Sequence, residues 1–483
     1  MAGRKSSPSP EPLGDDAAFF AALVAVLEPR LRAGDRLCLA LSGGLDSVVL
    51  LDALHRLTSG ELGSGGHYGN GGADDGGADH VGARFAALSL SAIHVQHGLS
   101  EHADDWAFHC AALCRERGIP LRIVRLPPFD SKGEGLEAAA RRLRYAAFAE
   151  CNADWLALAH HRDDQAETVL LRLLRGAGVA GAAAMPEERR LYGALRLIRP
   201  LLTQSRAALA AYATRRGLSW VEDDSNTDLQ LRRNFLRHKI LPEIEPLFPG
   251  ARAALARAAE HFAESAQLLD DLAQADRSHL APTGGPLPVA GLQTLSPARA
   301  RNLLRHEMRM AGLRAADARW LDEALRQLAT STPTLCVSTA DGDLRVFRGE
   351  LFVCPRQPPL PARLDWSLDA GAALPWGGAP ISMGAAFGEG ISRARLAGRE
   401  LYFAPRAGGE RLRPDAKRPR RSVKKLLHEH ALPPWQRERL PFLWCGDDLV
   451  WVAGLGVDAA YACAPGEPGL VLRWQEWRES GGV

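Results

Sequence analysis

The chain has 483 residues, 59 Lys and Arg against 57 Asp and Glu, a formal net charge of +2 and 46% hydrophobic residues. That length exceeds one ordinary core and predicts two to four domains, while the near-neutral charge confines any nucleic-acid contact to a local patch. No apolar stretch is long enough for a bilayer, and the eight cysteines are scattered without a CxxC pair, with Cys110 and Cys114 read as core thiols. This argues against a disulfide framework or structural zinc and predicts a reducing, cytoplasmic setting.

In chain order, "MAGRKSSPSPEPLGDD" (1–16) carries basic residues but no apolar h-region. It is expected to be a disordered tail rather than a signal peptide. Strand patterns follow at 36–41, 85–95, 121–126 and 155–160, and helical patterns at 46–57, 101–117, 135–151 and 163–175. The alternation predicts an α/β domain over 17–228 built on a doubly wound parallel sheet. The Gly- and Asp-rich stretch 59–82 has almost nothing to bury and is expected to be a flexible insertion. After residue 228, long Ala/Leu/Arg stretches (252–275 and 297–329) predict a helical second domain over 229–355. "PRQPPLPARLDW" (355–366) reads as a linker, and the short apolar runs of 366–478 predict a small mixed or β-rich third domain.

The stretch "LCLALSGGLDSVVLLDAL" (37–54) is a strand, a glycine turn and a helix. Glycines let the backbone approach a ligand, and a helix starting near Asp46 directs free N–H groups and partial positive charge at the turn. That makes an anion site suited to phosphate, with Ser42 and Ser47 as added hydroxyl donors. Asp46 would cap backbone amides or act through Mg²⁺. The bland alternative is a plain turn with Asp46 as N-cap. A Walker-A loop fails because none of the six lysines follows a glycine. "GAGVAG" (176–181) follows a helix rather than a strand and so fails as a dinucleotide fingerprint.

"SGGLDS" resembles the signature of the PP-loop ATP pyrophosphatase superfamily, whose adenine nucleotide alpha hydrolase-like fold would place the pyrophosphate portion of ATP on the turn. Three further stretches surround it. "IHVQHGLSEHADDW" (93–106) puts His94 and His97 at a strand's carboxyl end, where open parallel sheets bind ligands. "LEAAARRLRYAAF" (136–148) puts Arg141 and Arg144 on one helix face. "HHRDDQAET" (160–168) opens a helix with Asp163 and Asp164, and Glu167 shares a face with Asp163. Taken singly, the histidines are ordinary strand-end residues, the arginines a solvated face and the aspartates a favourable helix start.

Together with "WVEDDSNTDLQLRRNFLRHKILP" (220–242) and the 405–458 stretch, they resemble the tRNA(Ile)-lysidine synthetase family over roughly 35–245 and again near the C-terminus. The Gly/Asp insertion at 59–82 and the N-terminal tail depart from the family pattern without touching a motif. The resemblance implies that ATP adenylates C2 of the wobble cytidine of a tRNA(Ile) with a CAU anticodon, and that free L-lysine then displaces AMP to give lysidine. It implies ATP contacts from Ser42, Gly43, Gly44, Leu45, Asp46, Ser47 and His94, with Mg²⁺ carried by the nucleotide and Asp46 as its one candidate protein ligand. Catalytic candidates are Asp46, Arg141 and Asp163. Asp163, Asp164 and Glu167 are expected to bind lysine. Arg233, Arg237, Arg418, Arg420, Arg421, Lys424 and Lys425 are expected to bind tRNA. Residues 405–440 hold 11 Lys and Arg against 4 Asp and Glu, a local excess hidden by the neutral total. A homodimer is left open. The rivals are a tRNA-thiolating PP-loop enzyme, disfavoured by the lack of CxxC, and a non-catalytic tRNA-binding protein, disfavoured by the intact SGGLDS and HHRDD.

Overall fold

The computed structural model describes residues 14–61, 83–98, 100–127, 136–314, 316–330, 334–368 and 373–474. The expected tail lies outside them up to residue 13, and the expected insertion from 62 onward. The last residues of the expected tail, 14–16, are helical rather than disordered, since α1 spans Gly14–Leu27. The chain divides into two compact units, Met1–Leu269 and Asp270–Val483.

The first unit is built on one six-stranded sheet. Its strands are β1 (Arg36–Ala40), β2 (Ser89–Gln96), β3 (Leu121–Arg125), β4 (Trp155–Ala157), β5 (Glu188–Tyr192) and β6 (Leu195–Ile198), in the order β3-β2-β1-β4-β6-β5. All pairings are parallel except β5 with β6, so the parallel sheet carries one antiparallel edge strand. Strand order runs outward from β1 to β3 and then outward again from β4. The two directions part between β1 and β4, and open α/β sheets bind their ligands in the crevice at such a point.

The helices α2 (Leu45–Thr58), α3 (Ala103–Glu116), α4 (Leu136–Ala149), α5 (Arg162–Leu173) and α6 (Arg206–Arg215) complete the layers. Successive β1 residues face opposite sides, as the period of two requires. Leu37 and Leu39 enter a core with Phe20, Val49 and Tyr212, while Cys38 enters a second core with Tyr145, Phe148 and Leu197. Both faces of the sheet are therefore covered, which explains why β1 and β4 are apolar runs rather than alternating ones. Asp52, buried in α2, accepts from the Tyr212 hydroxyl at 2.8 Å and from Arg117 Nη2 at 3.3 Å, tying α2 to α6 and α3.

The second unit contains the helices Pro297–Met310 and Ala318–Ala329 and an antiparallel sheet of Leu287–Pro288, Glu350–Pro355, Gly342–Phe347 and Thr334–Ser338. The helical expectation for 229–355 omitted this sheet. Its central hairpin turns at Arg348 and Gly349, both with positive φ (54° and 78°). Two residues in that conformation make the tight turn whose twist suits a hairpin. Beyond it, antiparallel sheets led by Leu401–Ala404, Phe442–Cys445 and Asp448–Val452, and by Ala379–Phe387 and Pro468–Trp474, enclose Trp376, Phe403 and Phe442. The proline-rich stretch is not a free linker. Leu360 packs on this core, Arg439 Nη2 donates to the Pro358 carbonyl at 3.1 Å, and Leu364–Trp366 is a strand.

Candidate active site

The turn between β1 and α2 is buttressed from within. Gly43 has φ +88°, and a Cβ there would meet Val221 Cγ2 at 3.0 Å and Cys110 Sγ at 3.1 Å. The position therefore needs glycine for conformation and for space. Ser47 is buried. Its hydroxyl accepts from the Gly43 N–H at 3.2 Å and donates to the Gly44 carbonyl at 2.9 Å. This differs from the expected phosphate donor, because the hydroxyl is spent holding the loop; Ser42 is the exposed one of the pair. Gly44 is the N-cap of α2 and supplies no side-chain cap, so the first-turn N–H groups and the positive end of the helix remain available to an anion. The Val221 N–H donates to the Gly43 carbonyl at 3.0 Å, which lays the "WVEDD" segment alongside the turn.

His94, at the carboxyl end of β2, is buried. A carbonyl can only accept, so its Nδ1–H donates to Leu41 O at 2.8 Å and pins the strand just before the turn. Burial pushes its pKa below the usual imidazole value, the Leu41 bond opposing, and the ring stays neutral. His97 is likewise held low, by burial and then by Arg144 and His94, against Asp223.

Across the crevice, β4 leads through His160 and His161 into α5. His161 is the N-cap: its Nδ1 accepts from the Asp164 N–H at 3.4 Å, and Asp164 Oδ2 accepts from the His161 N–H at 3.0 Å. This reciprocal cap orients the imidazole so that Nε2 lies 3.5 Å from Asp46 Oδ2, which joins the β1 turn to the β4 turn. Burial opposes a charge on His161, but Asp46, Asp164 and Asp163 outweigh it and raise its pKa. His160 is pushed down to about 3 by burial and the nearby Arg199, Arg233 and Arg141, against Asp164.

The acidic residues of α5 are not bare. Glu167, 1% exposed, accepts from Arg233 Nε at 2.7 Å and from Arg237 Nε at 2.6 Å. Asp164 accepts from Arg233 Nη2 at 2.7 Å and Arg237 Nη2 at 3.1 Å. The two arginines come from the turn Arg232–Phe235 and the π-helical turn Leu236–Ile240, and their four-residue spacing points both guanidiniums at one carboxylate pair. They were expected to face tRNA; instead they face inward. The expected Asp163–Glu167 pairing is also altered. Glu167 shares its arginines with Asp164, while Asp163 turns to Arg252 Nη1 at 3.6 Å. Burial raises the Asp164 pKa, but His161, Arg233 and His160 overcome it and bring it down to about 2.

Arg141 is exposed on α4, close enough to His160 to lower its pKa, with Nη2 donating to the Tyr145 hydroxyl at 3.2 Å. The remaining tRNA candidates belong to the second unit. Lys424 and Lys425 are exposed on the helix Val423–Glu429, between buried Val423, Leu426 and Leu427. Arg421 pairs with Glu429, Arg418 with Asp415 at 3.5 Å and Arg420 with Asp458 at 3.6 Å. Sequence reasoning left His160, His161, Arg199 and Arg252 out of the site. The signal for the first two was their place between β4 and the N-terminus of α5.

Residues 18–244 match the PP-loop domain, 287–352 the TilS substrate binding domain and 401–474 the TilS substrate C-terminal domain. The chain is 41% identical to the tRNA(Ile)-lysidine synthase of Nitrosomonas europaea over 93% of both chains, and 42% identical to that of Azoarcus sp. strain BH72 over 91% of both. The chain belongs to the tRNA(Ile)-lysidine synthase family. As a tRNA(Ile)-lysidine synthase it is an ATP-dependent ligase, and the PP-loop match implies the use of ATP. A solved structure of the U34-tRNA thiolase NcsA from Methanococcus maripaludis aligns over 51% of this chain and 79% of its own, at 18% identity and TM-score 0.39, too remote to bear on the lysidine synthase assignment. Among the described residues no helix is long and apolar enough to cross a membrane.

Proposed function

We propose that the crevice between β1 and β4 carries out both half-reactions on the wobble cytidine of a CAU-anticodon tRNA(Ile): adenylation of its C2 oxygen by ATP, then attack by the ε-amine of free L-lysine with release of AMP. The observation carrying this is the 3.5 Å approach of His161 to Asp46, which brings the glycine turn and the start of α5 onto one crevice. The first-turn N–H groups of α2 take the pyrophosphate portion of ATP, as a leaving group that gains negative charge requires. Ser42, Gly43, Gly44, Leu45 and Asp46 line that position; Ser47 and His94 hold it in shape.

Asp46 Oδ1 and Asp163 Oδ1 are buried without a hydrogen-bond partner, as oxygens that face a cation would be. Among the described residues no three His, Cys, Asp or Glu side chains form a metal site. The fit is therefore to Mg²⁺ arriving with the nucleotide, with Asp46 as its protein ligand; the ion would neutralise phosphate charge. Free lysine is a zwitterion with a second ammonium, so its receptor needs both signs. Asp164 and Glu167 supply anions for its ammonium groups, and Arg233 or Arg237 supplies a fork for its carboxylate. Asp163, whose Oδ1 is buried without a hydrogen-bond partner, is the candidate to receive a proton from the attacking amine. Arg141 stabilises the activated base. Lys424, Lys425, Arg418, Arg420 and Arg421 contact tRNA phosphates, the three arginines while also paired with Asp415, Asp458 and Glu429.

Incubation with ATP, unmodified tRNA(Ile) transcript and isotopically labelled lysine tests the reading. Mass spectrometry of the digested nucleosides should find cytidine enlarged by labelled lysine less one water. Unmodified cytidine with intact ATP would refute it, and sulfur incorporation would favour the thiolating rival.

A further inference from the structure

A second cavity, of about 410 Å³, lies between α4 and the edge strand β5, lined by Arg141, Arg142, Tyr145, Arg189 and Arg190. None of the turn residues 42–47 lines it. Arg141 and Arg189 lie over the Tyr145 ring at 4.9 and 5.0 Å, which spreads their guanidiniums along the cavity wall. Behind them is Arg199, 2% exposed, whose Nε donates to His160 Nδ1 at 3.2 Å and whose Nη1 donates to the Pro186 carbonyl. Its neighbours include other cations: burial and the neighbouring Arg189 and Arg141 push its pKa down to about 10, against Tyr145. Among the described residues no carboxylate lines this cavity.

Charges on an edge strand also prevent sheets from pairing edge to edge. That role is met by either sign, and it does not require two more arginines on the facing helix. Arg189 and Arg190 beside Arg141 gather like charge around a concave surface, at a cost in free energy that an entering anion relieves, and arginine forks match phosphate oxygens two at a time. Arg199 joins the cavity to His160, one residue from the His161 that faces Asp46, so an anion seated here would continue into the crevice where the cytidine reacts.

We propose that this cavity grips backbone phosphates of the anticodon arm, with Arg189 and Arg190 as tRNA-positioning residues and Tyr145 as the spacer between guanidiniums. The proposal rests on the tRNA reading above. RNA is favoured over a second nucleotide because the phosphate-sized turn of α2 already serves ATP, and over an acidic protein because the groove is concave and flanked by an aromatic ring.

The test uses the full chain with Arg189→Gln/Arg190→Gln and, separately, Arg189→Lys/Arg190→Lys. Affinity for unmodified tRNA(Ile) is measured across a salt series, alongside affinity for a nonhydrolysable ATP analogue and the melting curve. The Gln pair should weaken tRNA binding about tenfold and flatten the log–log salt slope by about 1.5, since each lost phosphate contact removes about 0.7–0.9. The Lys pair should restore most of that slope. An unchanged tRNA affinity and slope in the Gln pair would overturn the proposal, as would a Lys pair as impaired as the Gln pair, or weakened nucleotide binding with tRNA binding intact. If the unaltered chain itself failed to bind the tRNA, the functional reading would fall together with this one.

Discussion

Replacing Glu167 with Gln probes the charge cluster at its most buried point. The side chain keeps its shape but loses the charge that receives Arg233 Nε at 2.7 Å and Arg237 Nε and Nη2 at 2.6 and 2.9 Å. A hydrogen bond to an ionised partner contributes about 1.5–3 kcal/mol, against about 0.5–1.5 for a neutral one, so three such bonds lose about 3 kcal/mol between them. The arginines are 32% and 20% exposed, and solvent screening trims this to about 2 kcal/mol. For a unit of this size the melting temperature should fall by roughly 4–8 °C. If the cluster also receives lysine, KM for lysine should rise about tenfold or more while KM for ATP stays put. Thermal melting and initial-rate kinetics read the two effects. A melting point within about one degree of wild type would refute the energetic argument; a lowered melting point with unchanged lysine KM would leave the cluster structural and move the lysine site elsewhere.

Gly43→Ala should slow ATP-dependent pyrophosphate release about tenfold or more, because its Cβ crowds Val221 Cγ2 and Cys110 Sγ at a φ costing about 1–2 kcal/mol for alanine; turnover within about twofold of wild type would contradict the geometry. Lys424→Glu/Lys425→Glu should weaken tRNA binding and reduce its salt dependence; identical binding isotherms across salt would remove this helix from the interface. The acid limb of stability should depend on Asp164. Its folded pKa is depressed from 3.8 to about 2, so its contribution is full above about pH 4 and is lost as pH falls through 2, amounting to about 2 kcal/mol. Denaturant midpoints between pH 5 and pH 2 should fall less steeply in Asp164→Asn; parallel profiles would count against the assigned pKa.

The first unit was legible because its signals are local. An apolar run buried on both faces, ended by Ser42-Gly43-Gly44, writes β1 and its turn directly into the sequence. The sheet Thr334–Ser338, Gly342–Phe347 and Glu350–Pro355 was missed because its strands are short and follow strongly helical stretches; only the Arg348-Gly349 pair announces a hairpin. Of the site, the residue types were readable but their pairing was not. Arg233 and Arg237 lie 66 or more positions from Asp164 and Glu167, and no periodicity reports contacts across such a distance. The inward turn of Ser47 was also hidden, because a hydroxyl in a glycine turn looks the same whether it faces ligand or backbone.

The α5 cluster has its counterions built in, so the empty enzyme can stay folded without a small molecule to complete it. If the cluster is the lysine receptor proposed above, an arriving ammonium must displace a guanidinium already seated on Glu167 or Asp164, and its binding energy is the difference between two similar attachments. Such a receptor would hold its guest loosely, which would suit an amine that must leave the pocket as part of a nucleoside.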